Sequence, residues 1–140
     1  MNYTATFQRM RLMAGYPVLT CVKPRSQWTS VPAGYTFNDD YDLYINAGGA
    51  TWKPTSSASL AIGDYATVPF LPGGGDANEQ LVMAGVVNPG QRMGRVLPGD
   101  IATVQAAQWL EIDGLTYDLV EATPTPAGAP MWYTVRLEKR

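Results

Sequence analysis

The chain has no histidine and a single cysteine, Cys21, among its 140 residues. Ser-His-Asp and Cys-His catalysis cannot be assembled from that inventory, nor can the His/Cys zinc sites, and no disulfide can form within one copy. Charge is also scarce: 16% of residues are Asp, Glu, Lys or Arg, where about a quarter is usual. Two readings meet that shortage: a surface kept partly for partners, or a small β-barrel that uses Ser, Thr and Asn outside. The formal net charge of -2 lacks the cationic excess with which a duplex-binding surface releases counterions. Nucleic-acid binding as the main task is set aside on that ground. Arg9, Arg11, Lys23 and Arg25 are read first as a solvated strand face and second as a local basic patch. No run of about eighteen apolar residues and no charged-then-apolar leader occurs, so a soluble chain made in the cytosol, with no membrane partner, is expected.

What is present is a series of short β-type segments divided by Gly and Pro. A single domain over 1–140 with a modest core is the expectation from length. Residues 4–10 and 16–23 are rich in β-branched, aromatic and long apolar types around Ala14-Gly15, and read as two strands. Residues 24–34 read as a loop. A third strand region covers 35–37 and 41–45, with Tyr41, Leu43 and Ile45 on one side. Residues 66–71 form a short strand whose Pro69 suits an edge. Residues 80–87 read as a strand, Asn88-Pro89-Gly90 as a turn, and 91–97 as a continuation or partner. After the turn at 97–100, residues 101–108 are the one stretch suited to helix, of at most two turns, with Asp100 as its cap.

The closing third carries the strongest local signal. Leu110 and Ile112 share one strand face, Leu115, Tyr117 and Leu119 share another, and Asp113-Gly114 lies between them. Both linker positions of a type I′ turn need positive φ, which Asp-Gly supplies cheaply. Beyond a Thr/Pro/Gly loop, Tyr133, Val135 and Leu137 alternate with Thr134, Arg136 and Glu138, so a third strand returns along the hairpin. About eight short strands, roughly ten residues apart, predict an all-β fold: a small antiparallel β-barrel or sandwich with long loops and at most one short helix.

Candidate sites are few. Residues 46–60 are small, turn-forming types interrupted by Trp52, a length of loop that is usually functional or disordered. A large aromatic in that setting is a typical anchor for a neighbouring protein; the competing reading folds Trp52 back over the core. Candidate interface residues are therefore Gly48, Gly49, Trp52 and Lys53, together with Gly73, Gly74 and Gly75 in a second extended loop at 72–79. The latter glycines lack the following Lys-Ser/Thr of a phosphate loop, so flexibility is the better reading. The run from Asn38 to Asp42 gathers oxygen ligands without calcium-loop spacing and reads as a solvated acidic turn. Asp100, Asp113 and Asp118 are considered as an acid/base pair, but turn geometry already accounts for the first two. Trp109, Trp132, Tyr117 and Tyr133 suit core packing more than a glycan face, and Cys21 suits a buried small hydrophobe. No catalytic, cofactor or metal residue is assigned.

Three segments together carry a resemblance: Arg92-Met-Gly-Arg-Val-Leu-Pro-Gly-Asp-Ile101, Trp109 through Ala122, and Trp132-Tyr-Thr-Val-Arg-Leu137. Their succession resembles the head-tail connector proteins of tailed phages, of the head-completion, stopper or adaptor type, and residues 3–9 look like the first strand of those proteins. The resemblance spans roughly the last third of the chain and its first ten residues, and does not extend over 35–78. It implies a small barrel subunit of a six- or twelvefold ring in the virion neck, partnered by copies of itself, by portal or adaptor protein and by tail proteins, with incidental contact to DNA in the channel. Such proteins seal the channel after packaging and dock the tail, with no active site. The loops at 46–60 or 72–78 are then expected to touch neighbours or face the lumen. Tail-terminator, tail-tube and baseplate subunits are also small β-rich ring formers, and a glycan- or small-molecule-binding barrel using Trp52, Trp109 and Trp132 is the alternative from another class.

Overall fold

In a computed structural model, which describes residues 3–73 and 90–140, the elements follow in a simple order. They are α1 (Tyr3–Met13), β1 (Val18–Val22), β2 (Tyr35–Asn38), β3 (Leu43–Asn46), β4 (Thr51–Trp52), β5 (Tyr65–Pro69), β6 (Leu71–Pro72) and β7 (Gln91–Val96), then α2 (Ile101–Gln105), β8 (Trp109–Ile112), β9 (Leu115–Thr125) and β10 (Trp132–Lys139). The fold is all-β and sandwich-like, and among the described residues one sheet has seven strands and the other three. The expected strand at 80–87, most of the Asn88-Pro89-Gly90 turn, and Gly74 and Gly75 lie outside the described residues.

The closing meander forms where its alternation places it. Asp113 (φ 52) and Gly114 (φ 78) take the two left-handed positions of the turn, which sets Ile112 opposite Leu115 and Leu110 opposite Tyr117. β10 returns antiparallel to β9 with one slip: Arg136 faces Glu121 but Leu137 faces Leu119, leaving Val120 as the bulged residue. The large sheet runs β5-β1-β8-β9-β10-β7-β6. Its two outermost strands are consecutive in the chain, parted only by Phe70, so the sheet curls until one stretch, 65–72, supplies both edges. Val68 lies opposite Leu19 of β1 on one side, and Leu71 opposite Arg95 of β7 on the other. At the seam, the Phe70 amide donates to the Pro17 carbonyl at 3.2 Å, and its ring occupies the space a side chain at position 94 would need. A Cβ on Gly94 would come within 2.2 Å of Phe70 Cζ.

Three apolar clusters follow from this curl. Leu19, Cys21, Phe70, Val96, Leu110, Val135 and Leu137 fill the concave interior, and Val104 of α2 joins them from one end. β1 is covered on both faces over its second half: Leu19 and Cys21 point inward, whereas Val22 joins Trp28, Tyr44 and Trp109 beneath the small sheet, and Val18 at its start stays exposed. Tyr3 and Phe7 of α1 lie on Leu71 and Trp132, on the outer side of the large sheet.

The first expected strand is a helix. Thr4 and Thr6 suggest β structure, but Tyr3, Phe7 and Arg11 recur at helical spacing, all three are buried, and Gln8 through Met13 are strong helix formers. The segment 3–9, read by resemblance as a first strand, is corrected with it, and among the described residues α1 is a helix in addition to the one expected. Asp100 makes no side-chain cap bond to α2. The stretch 46–60, expected as one extended loop, divides into the end of β3, a tight turn, β4 and a 3₁₀ turn at Ser57–Ser59. Tyr41 sits in the β2–β3 turn, and the buried residue of β3 is Tyr44 rather than Leu43 or Ile45.

Candidate functional site

Helix α1 ends in a built corner. The Tyr16 amide donates to Arg11 O at 2.8 Å and the Gly15 amide to Leu12 O at 3.2 Å, the two bonds of a Schellman motif, with Gly15 at φ 84. Arg11 is buried, and its Nε and Nη2 both donate to the Pro17 carbonyl, at 3.2 and 2.9 Å, which fixes the helix end against the start of β1. Apolar side chains face solvent around that fixed point. Met10, Leu12, Met13, Tyr16 and Val18 are all exposed, Met13 to 88%. Scattered exposed apolar residues need no explanation, but five within nine positions on a rigid corner make it a candidate interaction surface. Beside them a groove of about 470 Å³ runs from Tyr16 and Val18 to Arg92, Ile112 and the Asp113-Gly114 turn. The end of α1 and the start of β1 thus meet the turn of the closing meander at one groove.

The residues named from sequence lie elsewhere. Trp52 is half-buried, 5.8 Å edge-on to Trp28 and 5.6 Å from Tyr44, so it contributes to the cluster beneath the small sheet while keeping part of its surface in solvent. Gly48, Gly49 and Lys53 are exposed around β4, and Gly73 is exposed just after β6. Trp109 is buried in the cluster of Trp28, and Trp132 packs tilted against Tyr3, ring centres 4.8 Å apart, in a different cluster. The structure therefore does not gather Trp52, Trp109 and Trp132 on one face. Asp113 lies 3.6 Å from Arg92 and Asp118 lies 2.9 Å from Arg140, each with its own cation. Cys21 is buried as expected, its thiol pushed up to about 12 by burial and then by Asp100.

No protein-family model, curated protein or solved structure matches the chain. No helix among the described residues is long and apolar enough to cross a membrane.

The buried polar groups hold the small sheet in place. Arg25 Nη1 meets Asp42 Oδ2 at 2.6 Å, and its guanidinium lies over Trp28 and Trp109, at 5.6 and 5.2 Å from the ring centres. Tyr44 donates its hydroxyl to the Arg25 carbonyl. Asp64 is fully buried and accepts from the amides and hydroxyls of Thr29 and Ser30, at 2.5 to 2.9 Å. Glu111 accepts from the Ser57 amide and hydroxyl and from Trp109 Nε1. Both connections to the small sheet, 23–34 and 53–64, are thus pinned by a carboxylate. Sequence reading missed the α1–β1 corner because it made residues 3–9 a strand. The available signal was the helical spacing of Tyr3, Phe7 and Arg11 before Ala14-Gly15.

Proposed function

We propose that this chain is a structural virion subunit of a tailed phage, assembling as a ring in the neck that joins head to tail and closes the DNA channel. The observation that carries the reading is the exposed apolar corner from Met10 to Val18, held rigid by Arg11 and set beside the groove that reaches the closing hairpin. A preorganised apolar surface loses little entropy on association, so it suits permanent contact with neighbours. Low overall charge and the resemblance of 92–101, 109–122 and 132–137 to head-tail connector proteins support the same conclusion.

The test uses the full chain with portal, adaptor and tail proteins from one phage, in pull-down and by electron microscopy of the mixture. Ring-shaped density at the portal or tail end is expected. Met13→Asp, at a position 88% exposed, should leave stability within about 0.5 kcal/mol of wild type and abolish the density. A wild-type chain that binds neither portal nor tail protein refutes the neck assignment.

A further inference from the structure

The β2–β3 turn presents an aromatic knob. Asn38 Oδ1 accepts from the amides of Asp40 and Tyr41, at 2.9 and 3.2 Å. Asp42 takes a left-handed conformation (φ 50), and its carboxylate is drawn to Arg25 and to Gln108 Nε2, the latter at 3.2 Å. The turn is thereby ordered before any partner arrives, with Tyr41 68% exposed. Asp39 and Asp40 precede it, and neither forms an ion pair among the described residues.

A groove of complementary character lies on the other sheet. Met10, Leu71, Pro72, Gly73 and Arg95 line a volume of about 300 Å³, at the small end for a ligand site and suited to one large side chain. Arg95 donates to Tyr3 Oη at 3.1 Å and lies 4.5 Å over the Trp132 ring, but has no carboxylate partner among the described residues. Arg9, exposed on the same helix as Met10, has none either. An exposed aromatic preceded by two carboxylates without ion pairs, Asp39 and Asp40, matches in shape and charge an apolar groove lined by Arg95, which has no carboxylate partner among the described residues.

We infer that copies of this chain associate head to tail, Tyr41 of one copy entering the groove beside Met10 and Arg95 of the next. The contact joins two different surfaces, so it propagates and closes into a ring when the rotation between copies permits. The inference rests on the assembly reading above and names the surfaces through which it occurs.

The experiment is sedimentation velocity of the full chain up to about 1 mM, with circular dichroism confirming the fold of each variant. Tyr41→Ala and Arg95→Glu are each expected to weaken self-association at least about tenfold. Mixed in equal amounts, these two should give dimers and nothing larger, because one intact knob and one intact groove remain. Met10→Asp replaces Arg95→Glu should the latter fail to fold. Wild-type behaviour from Tyr41→Ala, or a wild type that stays monomeric throughout, overturns the contact. If particles still assemble normally with Tyr41→Ala, the contact falls and the neck reading stands. If the wild type self-associates through Tyr41 but binds no portal or tail protein, the neck reading falls and the contact stands.

Discussion

Replacing Asp64 by asparagine should cost a large part of the stability of this chain. The carboxylate is fully buried and accepts four hydrogen bonds, two on each oxygen. An amide keeps one acceptor oxygen and turns the other position into a donor, so either the Thr29 or the Ser30 backbone N–H faces an NH₂ group. A hydroxyl can rotate to accept from that group, but a backbone N–H cannot. One orphaned buried donor costs about 1–3 kcal/mol, and losing the charge weakens the two remaining bonds by about 1 kcal/mol more. The sum, about 2–4 kcal/mol, is a large fraction of the 5–15 kcal/mol typical of a domain, and lowers Tm by roughly 10 °C. Urea unfolding followed by tryptophan fluorescence checks it, since Trp28 adjoins Thr29. Acid gives a second signature. Burial pushes the Asp64 carboxyl up, but the bonds from Ser30 and Thr29 outweigh it and hold the group below its ordinary 3.8. A depressed pKa contributes stability in full above the ordinary value and loses it as pH falls through the folded value. The gap between wild type and Asp64→Asn should therefore hold from neutrality down to about pH 5 and close below 3.8. Equal stability at neutral pH, or a gap that widens in acid, would refute the reasoning.

Other changes test other contacts. Gly94→Ala places a methyl within 2.3 Å of two atoms of the fully buried Phe70 ring, so a loss of about 1–3 kcal/mol in urea titration is expected. Trp52→Ala should destabilise the small sheet through lost contact with Trp28 and Tyr44, by about 3 kcal/mol in the same assay; a change under about 0.5 kcal/mol would mark Trp52 as a pure surface anchor. Cys21, with its thiol pushed up to about 12 and its side chain buried, should resist thiol reagents at pH 8 and react only on unfolding, as a spectrophotometric titration will register.

Period and turn chemistry revealed the closing meander because each of its strands is covered on one side by the core. Leu110, Ile112, Tyr117, Val135 and Leu137 all reach the interior as alternation requires. The failures have one physical source, tertiary contact outweighing local composition. Tyr3 and Phe7 form a helix because Leu71 and Trp132 offer a surface that a helical stripe fits. β4 is only two residues long and exists because Tyr44 and Ile45 pair with it, a partner that no pattern within 46–60 announces. Of the candidate surface, the exposure of Met13 and Tyr16 was not read from the sequence, which placed Tyr16 in an apolar strand. Nor was their gathering at a corner, since that depends on Arg11 reaching the Pro17 carbonyl six residues on.

The stretch 65–72 has partners at very different distances along the chain. β1 is made before it, whereas β7 follows about twenty residues later, and β8, the second partner of β1, later still. On a ribosome emitting about 5–20 residues per second, β5 and β1 wait as an open hairpin with Phe70 uncovered until Gly94 arrives to admit its ring. The large sheet thus cannot be complete before its distal strands are made. In a cell producing many copies, that interval is when one copy's β1 meets another's β8, and the speed of seam closure sets how much of the protein reaches assembly instead of aggregate.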